Sequence, residues 1–384
     1  MLKMLHCADI HIDTPFTSLG SETDKSSIRR QDLKETFHKI VDLARVEKVD
    51  LLLVSGDLYE HSYVRKSTIH FINDCFGKIS EVKVFIVPGN HDPNIFNSYY
   101  QNYSWNDNVY ILTKDKPSIF LEDLGVCVYG VGFESFYEEN LPLANLKLIN
   151  PSLINILLAH GTVDLNIGDS TGSRTYNPLS SSELLALGMD YIALGHFHNR
   201  IEAMGNGNIY NPGSPEPLGF DECGDHGIFL CILDKDLDKG TKLEVEFTKL
   251  NKRFYENLDI SVDGCNSTEQ VMDVIKAEIK DYDRMNGLFN IRLKGFVEPG
   301  LRIDTPLILQ FFSNLVFHMK LSDETSEAYD LDGFAKEPGL RGGFTRKMLE
   351  KIESAADPHQ NRIFTRALNY GLQALEEGKV EVGK

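Results

Sequence analysis

Apolar runs of strand length recur along the first part of the chain, and five of them stop abruptly at a polar cluster. Leu2 to Cys7 runs into Asp9-Ile10-His11, and Val49 to Val54 into Gly56-Asp57. Val82 to Val87 ends at Pro88-Gly89-Asn90-His91-Asp92, Ile154 to Leu158 at His160, and Tyr191 to Leu194 at Gly195-His196-Phe197-His198. Short apolar runs rich in β-branched residues and punctuated by Gly or Pro predict buried strands. Between the first two, Leu33, Phe37, Ile40, Val41 and Ala44 recur at helical spacing and predict a helix over 28–47. Ile69, Ile72, Cys75 and Phe76 predict a second helix before the third strand. Alternating strands and helices imply a largely parallel or mixed sheet covered by helices, with ligands beyond the carboxyl ends of the strands. Every polar cluster falls at such an end.

The pattern changes towards the C-terminus. Phe229 to Leu233 predicts a strand and residues 234–240 a polar linker. Leu243, Val245 and Phe247 alternate as a strand, and Phe254 to Val262 predicts another. Residues 267–282 have helical character, with Val271, Val274, Ile275 and Ile279 on one face and Ser267 or Thr268 as N-cap. Leu288 to Val297 closes this β-α-β unit. From about Leu307 onward the pattern predicts helix, broken by a polar stretch at 322–338. Met348, Leu349 and Ile352, then Ile363, Phe364, Leu368, Leu372 and Leu375, mark two amphipathic helices. The expected division is 1–240, 241–300 and 301–384.

Composition narrows the classes. A length of 384 residues suits one large domain with smaller additions. No apolar run approaches the roughly 18 residues of a membrane span, and Asp9, His11 and Asp13 interrupt any signal-peptide core. Six cysteines without a CxxC pair predict reduced thiols and a cytoplasmic protein. A net charge of −18 argues against a broadly basic nucleic-acid coat. It leaves room for a local basic patch or bound metals to hold phosphates.

The clusters share one chemistry. Asp, Asn and His suit manganese, iron, zinc or similar ions, and no cysteine joins them. In extended backbone the two-residue spacing of Asp9 and His11, and of His196 and His198, puts each pair on one side. Asp57 is a carboxylate able to bridge two ions, and Gly56, Gly89 and Gly195 let backbone approach them closely. Singly, an Asp-x-His is usually a loop, a Gly-Asp a turn, and a lone histidine a satisfied polar residue. Five in this order at five strand ends are not.

That order resembles the calcineurin-like metallophosphoesterase superfamily over roughly residues 1–235. The resemblance implies an α/β fold, a four-layered αββα sandwich with a small β-α-β capping domain and C-terminal helices. It implies two divalent metal ions, manganese first, with iron, zinc or magnesium as alternatives. Asp9, His11 and His198 would hold one, Asn90, His160 and His196 the other, and Asp57 would bridge them. His91 would donate a proton to the leaving group, with Asp92 or Glu60 as its support. Phosphoprotein phosphatases carry GDxxDRG, whereas here Gly56-Asp57-Leu58-Tyr59-Glu60-His61 lacks the arginine. Tyr210-Asn211-Pro212-Gly213-Ser214-Pro215-Glu216-Pro217-Leu218-Gly219-Phe220-Asp221-Glu222 resembles the YxGSPxPLSFxE segment of SbcD-type DNA repair exonucleases, especially their YhaO-like members.

This branch implies a DNA exonuclease or endonuclease whose cap positions DNA, with Arg284, Arg292 and Lys294 as candidate phosphate contacts. It implies DNA and an SMC-like ATPase as partners, the ATPase docking on the C-terminal helices. A homodimer is a further expectation; a membrane is not. Two other classes compete: a phosphodiesterase for cyclic nucleotides or other small esters, and a non-catalytic scaffold of an ATPase complex. The cap favours the nuclease, and the complete ligand set counts against the scaffold.

Overall fold

The computed structural model describes residues 1–19, 24–138, 146–164, 176–205, 207–236, 238, 240–298 and 300–378. They divide into two compact units, Met1–Tyr255 and Glu256–Lys384.

Two six-stranded sheets form among the described residues of the first unit. One contains β1 (Leu2–Cys7), β2 (Leu51–Ser55), β3 (Lys83–Val87), β4 (Val109–Ile111), β11 (Gly227–Asp236) and β12 (Gly240–Lys249), in the order β12-β11-β1-β2-β3-β4. Strands β1 to β4 are parallel; β11 and β12 pair antiparallel. The other contains β5 (Ser118–Leu121), β6 (Val126–Gly130), β7 (Ile154–His160), β8 (Tyr191–Gly195), β9 (Ile201–Met204) and β10 (Ile209–Asn211), in the order β5-β6-β7-β8-β10-β9. Here β6, β7, β8 and β10 are parallel.

Successive side chains of a strand point to opposite faces, and burying both faces gives the near-continuous apolar runs seen in the sequence. Met4, Leu51, Leu53 and Phe85 meet Val128, Ile156, Leu158 and Tyr191 between the sheets. The alternate residues Leu5, Leu52, Val54 and Ile86 pack beneath α1 (Asp24–Val46) and α2 (Lys66–Gly77) through Phe37, Ile40, Ile69 and Phe76. On the far side Tyr129, Leu157 and Ile192 are covered by Leu184 of α4 (Ser181–Ala186). The layers therefore run α, β, β, α, the sandwich expected. A short helix, α3 (Tyr99–Asn102), follows the third polar cluster.

The second unit carries β13 (Phe254–Ser261), whose first residues lie in the first unit, then α5 (Thr268–Glu278), β14 (Gly287–Lys294), β15 (Phe296–Val297) and α6 (Thr305–Phe312). Next come β16 (His318–Asp323), β17 (Ser326–Glu327), α7 (Leu331–Lys336), α8 (Leu340–Glu353) and α9 (Pro358–Glu377). The sheet order is β13-β14-β16, with β15 beside β17. Ser267 caps α5 by accepting from the Gln270 backbone N–H at 3.3 Å. Met348, Leu368 and Leu372 pack α8 against α9.

Two segments differ from the expected division. Residues 243–247 extend the first sheet rather than the cap, because β12 pairs with β11 from Asp236↔Gly240 to Gly227↔Lys249. The linker expected at 234–240 is the head of this hairpin; Leu237 and Lys239 lie outside the described residues. Residues 318–321, expected to be helical, form with the first two residues of the expected polar break a strand parallel to β14 in register Leu288↔His318. Buried Met319 between half-buried His318 and exposed Lys320 is a strand pattern too short to outweigh its helical flanks. Among the described residues no helix is long and apolar enough to cross a membrane. Cys223 is exposed; the other five cysteines are buried and all six are free.

Candidate metal centre

The strand ends deliver their polar residues through strained turns. Asp9, His11, Asp57 and His196 have φ of 52°, 49°, 52° and 101°, a region that costs a non-glycine residue of order 1–3 kcal/mol. Loop-to-loop hydrogen bonds hold them there. Asp9 N donates to Gly56 O at 3.1 Å, His11 N to Asp57 O at 2.9 Å and Ile12 N to Leu58 O at 3.1 Å. Buried Asp92 ties in the third loop, accepting from Gly89 N and Leu58 N at 2.7 Å each and from Tyr100 Oη at 2.6 Å. A Cβ on Gly56 would meet the His160 ring, and one on Gly89 the Asp57 carboxylate.

The seven predicted ligands come together as two groups around Asp57. Its Oδ2 lies 3.2 Å from His160 Nε2 and 3.6 Å from His11 Nε2. On one side, donor atoms of Asp9, His11 and His198 lie within 4.8 Å of one another. On the other, those of Asp57, His160 and His196 do so. Asn90 Oδ1 joins the latter group, 3.0 Å from His160 Nε2 and 3.2 Å from His196 Nδ1.

The arrangement fits divalent cations. His11 Nε2 and His198 Nε2 are 3.1 Å apart, a hydrogen-bonding distance at which one proton lies between them in the position a bound cation would take. The outward nitrogens are anchored: His11 Nδ1 on Glu60 at 2.9 Å, His160 Nδ1 on Ser55 O at 2.8 Å, and His198 Nδ1 on Glu222 at 2.7 Å. A histidine that donates from Nδ1 turns its Nε2 lone pair inward, the usual arrangement of metal-binding imidazoles. His160 and His198 are both raised to about 9: burial opposes their charge, but Asp57 and Glu222 respectively outweigh it. His196 goes the other way, to about 3, through burial and the neighbouring His160. Carboxylates that hold protons on inward-facing imidazoles offer the same sites to metal ions, which displace those protons.

His91 is 45% exposed at the edge of this cluster, with Nδ1 on Glu60 Oε2 at 3.0 Å. It is also within 4.8 Å of His11 and Asp57 donors. Burial opposes its charge, but the Glu60 hydrogen bond and the charge of Asp57 raise it to about 9. The two oxygens of Glu60 thus serve two imidazoles, His11 and His91, and these hold Glu60 down to about 2 against its burial. Of the two acids expected beside His91, Glu60 is there. Asp92 instead faces inward and braces the loops.

Glu222 was part of a recognisable segment but carried no local sign of touching His198. Its other oxygen accepts from Ser214 Oγ at 2.8 Å and Leu218 N at 3.0 Å. Of the cations expected to contact phosphate, Arg292 and Lys294 pair with Asp259 at 2.5 Å each.

Known proteins agree with this architecture. Residues 2–200 match the family model described as calcineurin-like phosphoesterase. An uncharacterized metallophosphoesterase, YhaO, of Bacillus subtilis is 28% identical over 238 residues, 60% of this chain and 57% of that protein. The DNA double-strand break repair protein Mre11 of Methanopyrus kandleri is 26% identical over 281 residues, 65% of this chain and 57% of that protein. A component of the nuclease SbcCD of Staphylococcus epidermidis is 24% identical over 247 residues, 58% of this chain and 63% of that protein. The chain thus spans less than two-thirds of the length of each of these relatives. With its family model matched over half the chain and the strand-end clusters gathered around Asp57, the chain belongs to the calcineurin-like phosphoesterase family.

Proposed function

We propose that this protein is a two-metal phosphodiesterase that cleaves DNA, as exonuclease or endonuclease, in concert with an SMC-like ATPase. The observation that carries the reading is the pair of donor groups sharing Asp57, with the Glu60-anchored His91 beside them. Asp9, His11 and His198 would hold one divalent ion and Asn90, His160 and His196 the other, with the Asp57 carboxylate shared by the two sets. When bound, such a pair of ions clamps a phosphate, activates water and offsets charge on the phosphoryl oxygens. His91 holds its proton at Nε2, since Glu60 occupies Nδ1, and donates it to the departing sugar oxygen. Glu222 and Glu60 fix the rings of His198 and His11.

DNA is the substrate class favoured by relatives whose names are those of a break-repair protein and a nuclease component. Aromatic rings beside the centre suit bases flanking the cut. Tyr176 lies 5.5 Å from the His196 ring and Tyr137 5.6 Å from Tyr176, while Phe136, 47% exposed, faces His61 at 5.6 Å. Base stacking on such faces is worth about 1–3 kcal/mol per base and tolerates any sequence. The ATPase is proposed from the SbcCD relative, named as one part of a larger nuclease, and from Ile363 and Leu375, apolar and exposed on α9. Manganese and a cytoplasmic location belong to the same proposal.

The test is purified protein with Mn²⁺ on end-labelled duplex and single-stranded DNA, beside bis-p-nitrophenyl phosphate and cyclic nucleotides. DNA cleavage that His91→Ala slows by about 10²–10⁴ with metal still bound supports the reading. Hydrolysis of the small esters alone, even with the ATPase supplied, replaces it with a small-substrate phosphodiesterase.

A further inference from the structure

In the first unit a cavity of about 630 Å³ lies between the loop after β1, the first half of α1 and the start of α2. Its walls continue the metal-bearing loops. Asp13 lies just past His11, and Tyr63 just past Glu60. The two loops are stitched by an Ile12↔Tyr59 bridge and by Arg65 N donating to Asp13 Oδ2 at 3.4 Å.

The cavity is cationic in a chain of net charge −18. Arg30, Lys34 and Arg65 line it with Asp13 as the one carboxylate, a formal lining charge of +2. Asp13 is already engaged: its Oδ1 pairs with Lys34 Nζ at 2.9 Å and its Oδ2 accepts from Thr68 Oγ1 at 2.6 Å. Lys34 Nζ also donates to Thr68 Oγ1 at 3.2 Å, which fixes the ammonium at the cavity wall. Arg30 is held by neutral acceptors, Ser27 Oγ at 2.8 Å and Pro15 O at 3.4 Å, and among the described residues no carboxylate pairs with it. The Arg65 side chain is exposed, and α2 begins just after it without a side-chain cap, with Ser67 and Thr68 of its first turn in the cavity wall.

Two forked guanidiniums, a fixed ammonium and the Ser67 hydroxyl match a tetrahedral oxyanion, which accepts several charge-assisted hydrogen bonds at once. We propose that this cavity is a second phosphate site, which holds a phosphate group other than the one cleaved. Resting on the nuclease reading above, its natural occupant is a backbone phosphate of the strand leaving the metal centre. The same chemistry would take the phosphate of a released mononucleotide. Either occupant uses Arg30 and Arg65 without touching the metal ligands.

The experiment compares wild type with Arg65→Ala and the double variant Arg30→Ala/Arg65→Ala, using Mn²⁺-loaded protein. Three quantities are read: kcat/KM on a single-stranded oligonucleotide over a range of NaCl, kcat/KM on bis-p-nitrophenyl phosphate, and inhibition by dAMP. Loss of a charge-assisted contact predicts that the ratio of the first to the second falls about tenfold, through KM. The log–log salt slope on the oligonucleotide shrinks by about 0.7 per lost contact. Arg65→Lys keeps the charge and recovers part of the ratio. Weaker dAMP inhibition with an unchanged ratio assigns the site to the product instead. An unchanged ratio, slope and dAMP inhibition overturns the proposal, as does an equal loss on both substrates, which marks a structural role. If wild type hydrolyses the small diester but no oligonucleotide, the nuclease reading fails, and dAMP inhibition alone judges the cavity.

Discussion

Replacing Glu222 by Gln removes one charge from behind His198 with almost no change in volume. The side chain is 4% exposed, with one oxygen on His198 Nδ1 at 2.7 Å and the other on Ser214 Oγ and Leu218 N at 2.8 and 3.0 Å. All three partners donate, and a carboxamide has only one oxygen to accept them. Whichever way it turns, its NH2 faces a donor, and a buried unsatisfied donor costs about 1–3 kcal/mol. If the NH2 faces the imidazole, the proton moves from Nδ1 to Nε2 and the inward lone pair is lost. Losing such an outer partner typically weakens metal binding about 10–100-fold, or roughly 1.4–2.8 kcal/mol. Calorimetric titration of metal-stripped protein with Mn²⁺ measures it directly. One of two ions should bind weaker by that factor and the other as in wild type, because Glu222 touches no residue of the Asn90 group. Unchanged affinity for both ions in a folded variant would refute the reasoning. Loss of both together would mean that the variant acts through the fold.

Asp57→Asn should weaken both ions, since both donor groups share this carboxylate; a titration that still shows one wild-type site would contradict the bridge. Gly89→Ala places a methyl against the Asp57 carboxylate and backbone. Overpacking of this kind costs about 1–3 kcal/mol, so urea denaturation should shift and metal binding fall in the same variant. In metal-stripped protein, His160 and His198 titrate near 9 against 6.5 in an unfolded chain. Folded-state pKa values raised in this way add stability that is full below about 6.5 and is lost as pH rises through about 9. The urea midpoint should fall across that window and be restored by Mn²⁺, which takes over the proton positions. A midpoint flat with pH would rule this account out.

What the chain's pattern made legible follows from how sheets work. An apolar run that must be buried on both faces is unmistakable, and it ends where the sheet ends, so the loops bearing the Asp, Asn and His clusters were visible without any knowledge of their neighbours. The division at 240 was not, because β12 could join either neighbour until its register with β11 was known. The two-residue spacing of Asp9 and His11 suggested an extended backbone with both side chains on one side. In the folded protein both residues are left-handed, and the donors converge because a turn is pinned to the next loop by Gly56 O and Asp57 O. That strain is sustained by long-range hydrogen bonds, which no local pattern encodes. The same cause hides Glu222 and the contact of Glu60 with His11, although Glu60 was expected beside His91. Glu60 reaches His11 and His91 only after the loops following β1, β2 and β3 are stitched together, and Glu222 reaches His198 only after the segment between them folds back. Residues that bind a metal directly need a particular chemistry and so leave a signature; residues that aim those ligands need only a carboxylate in the right place. The specificity of such a site therefore resides largely in positions whose role becomes readable only in three dimensions.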